Sequence, residues 1–361
     1  MKKQLQIFFD FLRFCIGSAR EVPDSLKEED WKELYAIAQK QALLGVLFYG
    51  IRRLPAEYVG MKKELLLQWM AESQMLEKAN VRLNDAAIQV SEWFRKKGFR
   101  TCILKGQGNA LMYPNPYSRT PGDIDIWVEG EDKRVISFVR SISPHEKACY
   151  HHIEFPSYKG VEVEVHYRPS FLLCFWHNRK LQKYYERVKE EQFSHRVMLG
   201  EQGEIAIPTV EFNLIFQLTH IFSHLMNEGI GLRQLLDYYY VLISDDLLLI
   251  RDRVQKELKE LGLWMFAGGI MYIMQEVFGM PASRLIVPPN EKYGKFVLNE
   301  VLEAGNFGRH DERNRFGRSQ LGHNLQRVYR DIRLVRYFPT EAMSEPFFRV
   351  WHFFWRMKNK K

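Results

Sequence analysis

Two aspartates one residue apart, Asp123 and Asp125, stand in the run Gly122-Asp123-Ile124-Asp125-Ile126-Trp127-Val128. On a strand, where side chains alternate between faces, both carboxylates project one way, about 6–7 Å apart, and the isoleucines the other. Two like charges so close are unfavourable unless a cation lies between them, so the pair points to a divalent ion. Oxygen ligands of this hardness suit Mg²⁺ or Mn²⁺. An isolated Asp-x-Asp more often marks a solvated polar face, so the flanking chain has to decide. Upstream, the β-type run Phe99-Arg100-Thr101-Cys102-Ile103-Leu104 ends in Lys105-Gly106-Gln107-Gly108, a Gly-rich turn whose amides suit phosphate oxygens. Downstream, Val161, Val163 and Val165 alternate with Glu162, Glu164 and His166, which puts more carboxylates on a second strand. His166 shares the face of Glu164, a place for a substrate contact or for a structural histidine.

These residues resemble the nucleotidyltransferases of the DNA polymerase β superfamily. Leu104-Lys105-Gly106-Gln107-Gly108 resembles that family's turn, Gly122-Asp123-Ile124-Asp125-Ile126 its paired aspartates, and Glu164 its third acidic residue. The wider stretch, from Leu104 through Tyr113-Pro114 and Arg119 to the aspartates and on to Glu164-Val165-His166, looks like a bacterial branch whose acceptors are largely uncharacterised. The turn departs from the family's usual Gly-Gly or Gly-Ser, and the gap from Gly106 to Asp123 is on the long side. The resemblance implies an α+β fold with a polymerase-β-like core and a mixed sheet. It also implies an enzyme that moves a nucleoside monophosphate from an NTP such as ATP to an acceptor hydroxyl, releasing pyrophosphate. Asp123, Asp125 and Glu164 would be the catalytic and metal-holding residues for Mg²⁺ or Mn²⁺, with Glu164 a base in an alternative role. The amides of Gly106, Gln107 and Gly108 would bind phosphates, with Lys105 or Arg119 supplying positive charge.

The elements that must position these groups follow from periodicity. Residues 28–52 and 62–97 carry apolar positions at helical spacing and are separated by Pro55. The stretch 122–128 reads as a half-buried strand, followed by an amphipathic helix to about Ile142. Strands at 150–155 and 161–167 form a hairpin turning at Pro156-Ser157-Tyr158-Lys159-Gly160, and 171–195 has no clean period. A second hairpin is expected over 196–207, about Gly200-Glu201-Gln202-Gly203, and beyond Pro208-Thr209 the chain is helical almost throughout. The layout is an N-terminal helical region (1–97), a nucleotidyltransferase core (98–207) and a C-terminal helical domain with a basic tail (208–361).

In that last part His220 and His224 lie on one helical face at the spacing of paired zinc ligands, but position 221 is Ile where His-Glu-x-x-His needs Glu. They read as core or substrate-lining residues. Arg233 and Asp237 follow a Gly turn and form an i,i+4 pair, or line the substrate site if this domain closes over a nucleotide.

The chain has 361 residues, 46% apolar and 27% charged, the balance of a globular chain of two domains or of one with a large helical appendage. Its longest uncharged apolar window, 261–274, is too short to span a membrane. Four scattered cysteines and the lack of a cleavable leader fit a reducing cytoplasm. Net charge is +8. Residues 305–361 hold ten Arg and three Lys against five acids, which leaves 39 basic and 39 acidic residues in 1–304.

Within this tail Arg327, Arg330, Arg333 and Arg336 recur every third residue, with Leu325, Val328, Tyr329, Ile332 and Val335 as the apolar side expected to pack on the core. Such a stripe leaves RNA open as an acceptor, although a small molecule is favoured because no RNA-binding module is visible. The rival readings are a catalytically silent nucleotide-binding or regulatory module and a basic RNA-binding protein. The presence of all three carboxylates argues against the first. Asp→Asn changes at either aspartate are expected to spare the fold or slightly stabilise it by relieving repulsion.

Overall fold

The structure, a computed structural model, describes residues 3–21, 26–55, 60–201, 203–311, 313 and 320–359. Gln202, in the turn expected between the strands of the second hairpin, lies outside them. The fold is α+β, with a small mixed sheet set among helices.

Four helices lead the chain: α1 (Lys3–Ile16), α2 (Glu28–Lys40), α3 (Leu44–Ile51) and α4 (Lys63–Lys96). The single helix expected over 28–52 is two. Ala42 adopts φ +56°, and the Leu43 amide donates to the Ala38 carbonyl, which closes α2 before α3 begins. At 34 residues α4 is roughly 50 Å long, enough to serve two cores. Trp69 belongs to a large cluster with the N-terminal and C-terminal helices, and Leu83, Ala87, Val90 and Phe94 to a second one beneath the sheet.

The sheet has the strands β1 (Thr101–Ile103), β2 (Ile124–Val128), β3 (His152–Tyr158) and β4 (Val161–His166), in the order β1-β2-β4-β3. The central β2–β4 pair is parallel, so the chain must cross over between them, which it does through α6 (Asp132–Ile142) and β3. The short helix α5 (Gln107–Ala110) follows β1. All five residues of β2 are buried, where alternation suggested a half-buried strand. Helices cover both faces. Ile124, Ile126 and Val128 sit in the core shared with α4 and α6, while Trp127 faces the other core. Pro156, expected in a turn, lies inside β3, an edge strand whose register slips between Phe155 and Tyr158, so its missing amide costs no ladder bond.

The stretch without a clean period is a helix, α7 (Phe175–Ser194), and β5 (Arg196–Met198) pairs with β6 (Glu204–Ala206) as the second hairpin. Thr209 caps α8 (Val210–Asn227) by accepting from the Phe212 amide. After it come α9 (Leu232–Leu242), α10 (Leu247–Glu260), α11 (Trp264–Glu276), α12 (Glu291–Ala304), α13 (Gln320–Val335) and α14 (Pro339–Lys358). Trp127 packs at a tilt 4.6 Å from Phe193 of α7 and stacks 5.7 Å from Phe212 of α8, which seats these helices on the face of the sheet that carries Asp125.

On α13 the expected orientation is reversed. Arg330 and Leu334 are buried, whereas Leu325, Val328, Tyr329, Ile332 and Val335 are exposed. Arg330 donates to the Glu228 carbonyl, and Arg333 pairs with Glu300 at 3.0 Å, so two of the four arginines are spent on packing. Among the described residues no helix is long and apolar enough to cross a membrane.

Candidate active site

The parallel register of β2 on β4 places Asp125 beside Glu164, and the antiparallel register of β3 on β4 places His152 beside His166. Asp123 precedes β2 on the same face. Ligand atoms of Asp123, Asp125 and Glu164 all lie within 4.8 Å of one another. Asp125 is 2% exposed; its Oδ1 meets Lys105 Nζ at 3.1 Å and His166 Nε2 at 3.0 Å, and its buried Oδ2 has no partner among the described residues.

The charges in this cluster set one another. Burial would raise the Asp125 carboxyl, but Lys105 and a hydrogen bond from His166 hold it well below its ordinary value. Asp123 is raised, chiefly by the neighbouring Asp125 charge and then by burial. Burial would lower His166, yet hydrogen bonds to Asp125 and Glu164 outweigh it and lift the imidazole to about 9. Glu164, which burial would raise, is lowered by the same hydrogen bond. Lys105 stays a cation because the three carboxylates outweigh its burial.

A divalent ion fits this donor set. Three carboxylates converge, one buried oxygen lacks a partner, and the ammonium and imidazolium beside Asp125 show how strongly the site draws positive charge. Asp123, Asp125 and Glu164 would hold the ion.

Lys105 also meets His220 Nε2 at 3.1 Å. His220 meets His224 at 3.1 Å, and His224 Nδ1 lies 3.3 Å from Glu228, so both α8 histidines join the site as one polar chain. A cavity of about 440 Å³ opens on this side, lined by the carboxylates, His151, His152, His166 and Arg327. On the turn side the space narrows to about 30 Å³ between Gly106, Arg119 and Arg233, room for little more than a water.

The other sequence candidates divide. Gly106 adopts φ +62° and bends the chain from β1 into α5, with its backbone against Asp123. Gln107 is turned into α4, where it bonds Asn84, and a Cβ on Gly108 would meet Ile207 Cγ2 at 2.9 Å, so both face packing contacts rather than the cavity. Arg119 is buried in a two-pronged pair with Asp237, 2.8 Å on each arm, and Tyr113 donates to the same carboxylate at 2.7 Å. Asp237 is therefore bound to Arg119 and not to its i−4 neighbour. Arg233 donates to the Thr120 carbonyl at 3.0 Å, stacks over Phe307, and keeps a buried Nε without a partner. Burial, then Arg119, lowers it to about 10.

The sequence reading missed His151 and His152. Their signal is the same alternation that exposed Glu164, since His152 and Glu154 share a strand face, but it lies next to a proline that reads as a turn. Cys174, His177 and Glu341 also meet within 4.8 Å; there Glu341 accepts the Leu173 and Cys174 amides and caps α7. The four cysteines are free thiols.

The family model described as uncharacterised nucleotidyltransferase matches residues 27–279. A search of curated proteins returns no match. Among solved structures the chain is similar to an antigenic nucleotidyltransferase-like protein from Paracoccidioides brasiliensis, at 13% identity over 50% of this chain and 90% of that one, with a TM-score of 0.29. That likeness is too loose to carry an argument.

Proposed function

The chain belongs to the family of uncharacterised nucleotidyltransferases, and from that membership we propose that it transfers a nucleoside monophosphate from an NTP to a hydroxyl of a small acceptor, releasing pyrophosphate. The observation that carries this reading is the convergence of Asp123, Asp125 and Glu164 on one cavity beside Lys105. A divalent ion held by these carboxylates would neutralise the triphosphate and polarise the phosphorus under attack. Lys105 adds a fixed positive charge beside Asp125. Burial of Asp125 keeps water from screening these charges. Arg119 acts through position: locked to Asp237, it fixes the loop that leads into Asp123.

A small acceptor is favoured over a polymer on two grounds. The cavity is walled by α8 and α13, and the arginine stripe is broken up, with Arg330 buried and Arg333 paired. The test is incubation with α-labelled NTPs, Mg²⁺ or Mn²⁺ and a small-molecule cell extract. The expected result is pyrophosphate release and a labelled acceptor, both lost in Asp125→Asn. Absence of both products with every NTP and either metal defeats the reading.

A further inference from the structure

Beside the three carboxylates stands a second donor set that shares one of them: His152, Glu164 and His166, with ligand atoms also within 4.8 Å of one another. His166 Nε2 is 3.3 Å from Glu164 Oε2, and His152 Nδ1 is 3.6 Å from the same oxygen. Both separations exceed the usual N–H···O range of about 2.7–3.2 Å. Donors bound to one ion at about 2.0–2.1 Å stand about 3.0–3.5 Å apart, a range that holds the His166 spacing and lies just short of the His152 one.

Both rings make other contacts as well. His166 directs its other nitrogen, Nδ1, toward the Arg168 carbonyl at 3.4 Å, while its Nε2 meets Asp125 Oδ1 at 3.0 Å as well as facing Glu164. His152 Nε2 lies 3.7 Å from Glu154, and its Nδ1, besides facing Glu164, meets His151 Nε2 at 3.0 Å. Two further buried atoms have no partner among the described residues, Oδ2 of Asp125, which is 98% buried, and Nδ1 of the adjoining His151.

We infer that His152, Glu164 and His166 form a second, nitrogen-rich metal position joined to the carboxylate cluster through Glu164, and that it takes a divalent ion of the Zn²⁺ and Co²⁺ class in preference to Mg²⁺. Two imidazoles and one carboxylate suit such ions, whereas Mg²⁺ demands oxygen ligands. The register explains why the site exists. His152 stands opposite His166 on neighbouring strands and Glu154 opposite Glu164, so the hairpin brings two nitrogen donors to one oxygen and sets a carboxylate behind one of them. The inference deepens the proposed function and rests on it for the role of the ion, while the binding itself can be read without turnover.

The experiment uses the full chain, freed of metal by chelation and titrated with Co²⁺, whose visible absorption reports its ligands. The expected result is saturable Co²⁺ binding that Zn²⁺ displaces and about a hundredfold excess of Mg²⁺ does not. His152→Gln and His166→Gln should each weaken it by about tenfold or more, while Asp123→Asn should leave it in place. Co²⁺ binding no tighter than Mg²⁺, or binding indifferent to both histidine changes, overturns the inference. Should His166→Gln fail to fold by circular dichroism, His152→Gln, at a partly exposed strand position, decides alone. The two readings fail separately. Mg²⁺-supported transfer without a Co²⁺ site removes this inference and leaves the function standing. A histidine-dependent Co²⁺ site in a chain that transfers nothing does the reverse.

Discussion

Asp125 and Glu164 are direct neighbours across the parallel β2–β4 ladder, and His166 Nε2 sits within 3.3 Å of an oxygen of each. The pair is therefore a product of strand register. A slip of one residue would turn Glu164 away and bring Val163 or Val165 to the cavity.

The two aspartates should differ in what they do for the fold. Asp125 is the buried partner of Lys105 and His166, so Asp125→Asn leaves an ammonium short of its counter-charge and should cost about 1–3 kcal/mol. Asp123, raised by its neighbour's charge, should be neutral or slightly stabilising as Asn. The even outcome expected for both from sequence alone is thus divided. Thermal melts of the two variants without metal check this, and both should lose transfer; equal melting shifts would contradict the assigned partners.

Arg119 and Asp237 form a buried ion pair beside the site, 3% and 4% exposed. Breaking either arm strands a charge, so Arg119→Gln and Asp237→Asn should each destabilise by about 3–5 kcal/mol. Replacing both at once should cost much less than the sum, because no lone charge remains. A double-mutant cycle by denaturant unfolding measures the coupling. Additive losses would mean that Arg119 spends its charge on a ligand instead.

How much of this was legible beforehand depends on the range of the interaction. The alternation of Val161, Val163 and Val165 with Glu162, Glu164 and His166, and that of Asp123 and Asp125 about Ile124, is local, and strand and face follow from it. Arg119 read as a phosphate ligand because its partner lies 118 positions away, a distance at which sequence gives no pairing. Ala42 ends a helix that its periodicity continues, and Pro156 hid the end of β3, read as turn, because an edge strand tolerates what a central one does not. The exposed apolar side of α13 defeats amphipathic reasoning outright, since Arg330 is buried through a backbone carbonyl that no pattern announces.

Asp331 supplies a pH signature on α13. Burial, then the charge of Glu345, raises its carboxyl to about 6, against about 3.9 in an unfolded chain. The folded state holds the proton more tightly, so this group's stabilising contribution is full below about pH 4 and is lost as pH rises to about 6. With half-burial discounting the effect, Asp331→Asn should be about 1–2 kcal/mol more stable than the native chain at pH 7.5 and no more stable at pH 4. Paired melts at the two pH values test the sign; a gain at pH 4 that vanishes at pH 7.5 would reverse it.

Arg327 separates an acceptor held in the cavity from a polyanion tracked along the helix. Of the four arginines of the stripe, three on α13 and Arg336 just past its end, Arg327 lines the carboxylate cavity, Arg330 and Arg333 are engaged in packing, and Arg336 is exposed. An anionic group on a small acceptor would meet Arg327 and leave Arg336 untouched. A charge-assisted hydrogen bond to such a group is worth about 1.5–3 kcal/mol, so Arg327→Gln should lower acceptor labelling in extract by roughly tenfold at limiting acceptor, with NTP affinity unchanged. Arg336→Gln should label at the native rate. A polymeric acceptor such as RNA would feel each lost charge alike, so equal losses in the two variants, deepening with added salt, would turn the reading from a small molecule to a polyanion. If neither variant changes labelling, the acceptor carries no charge at this wall and is recognised through the histidines of α8 and β3 that line the same cavity.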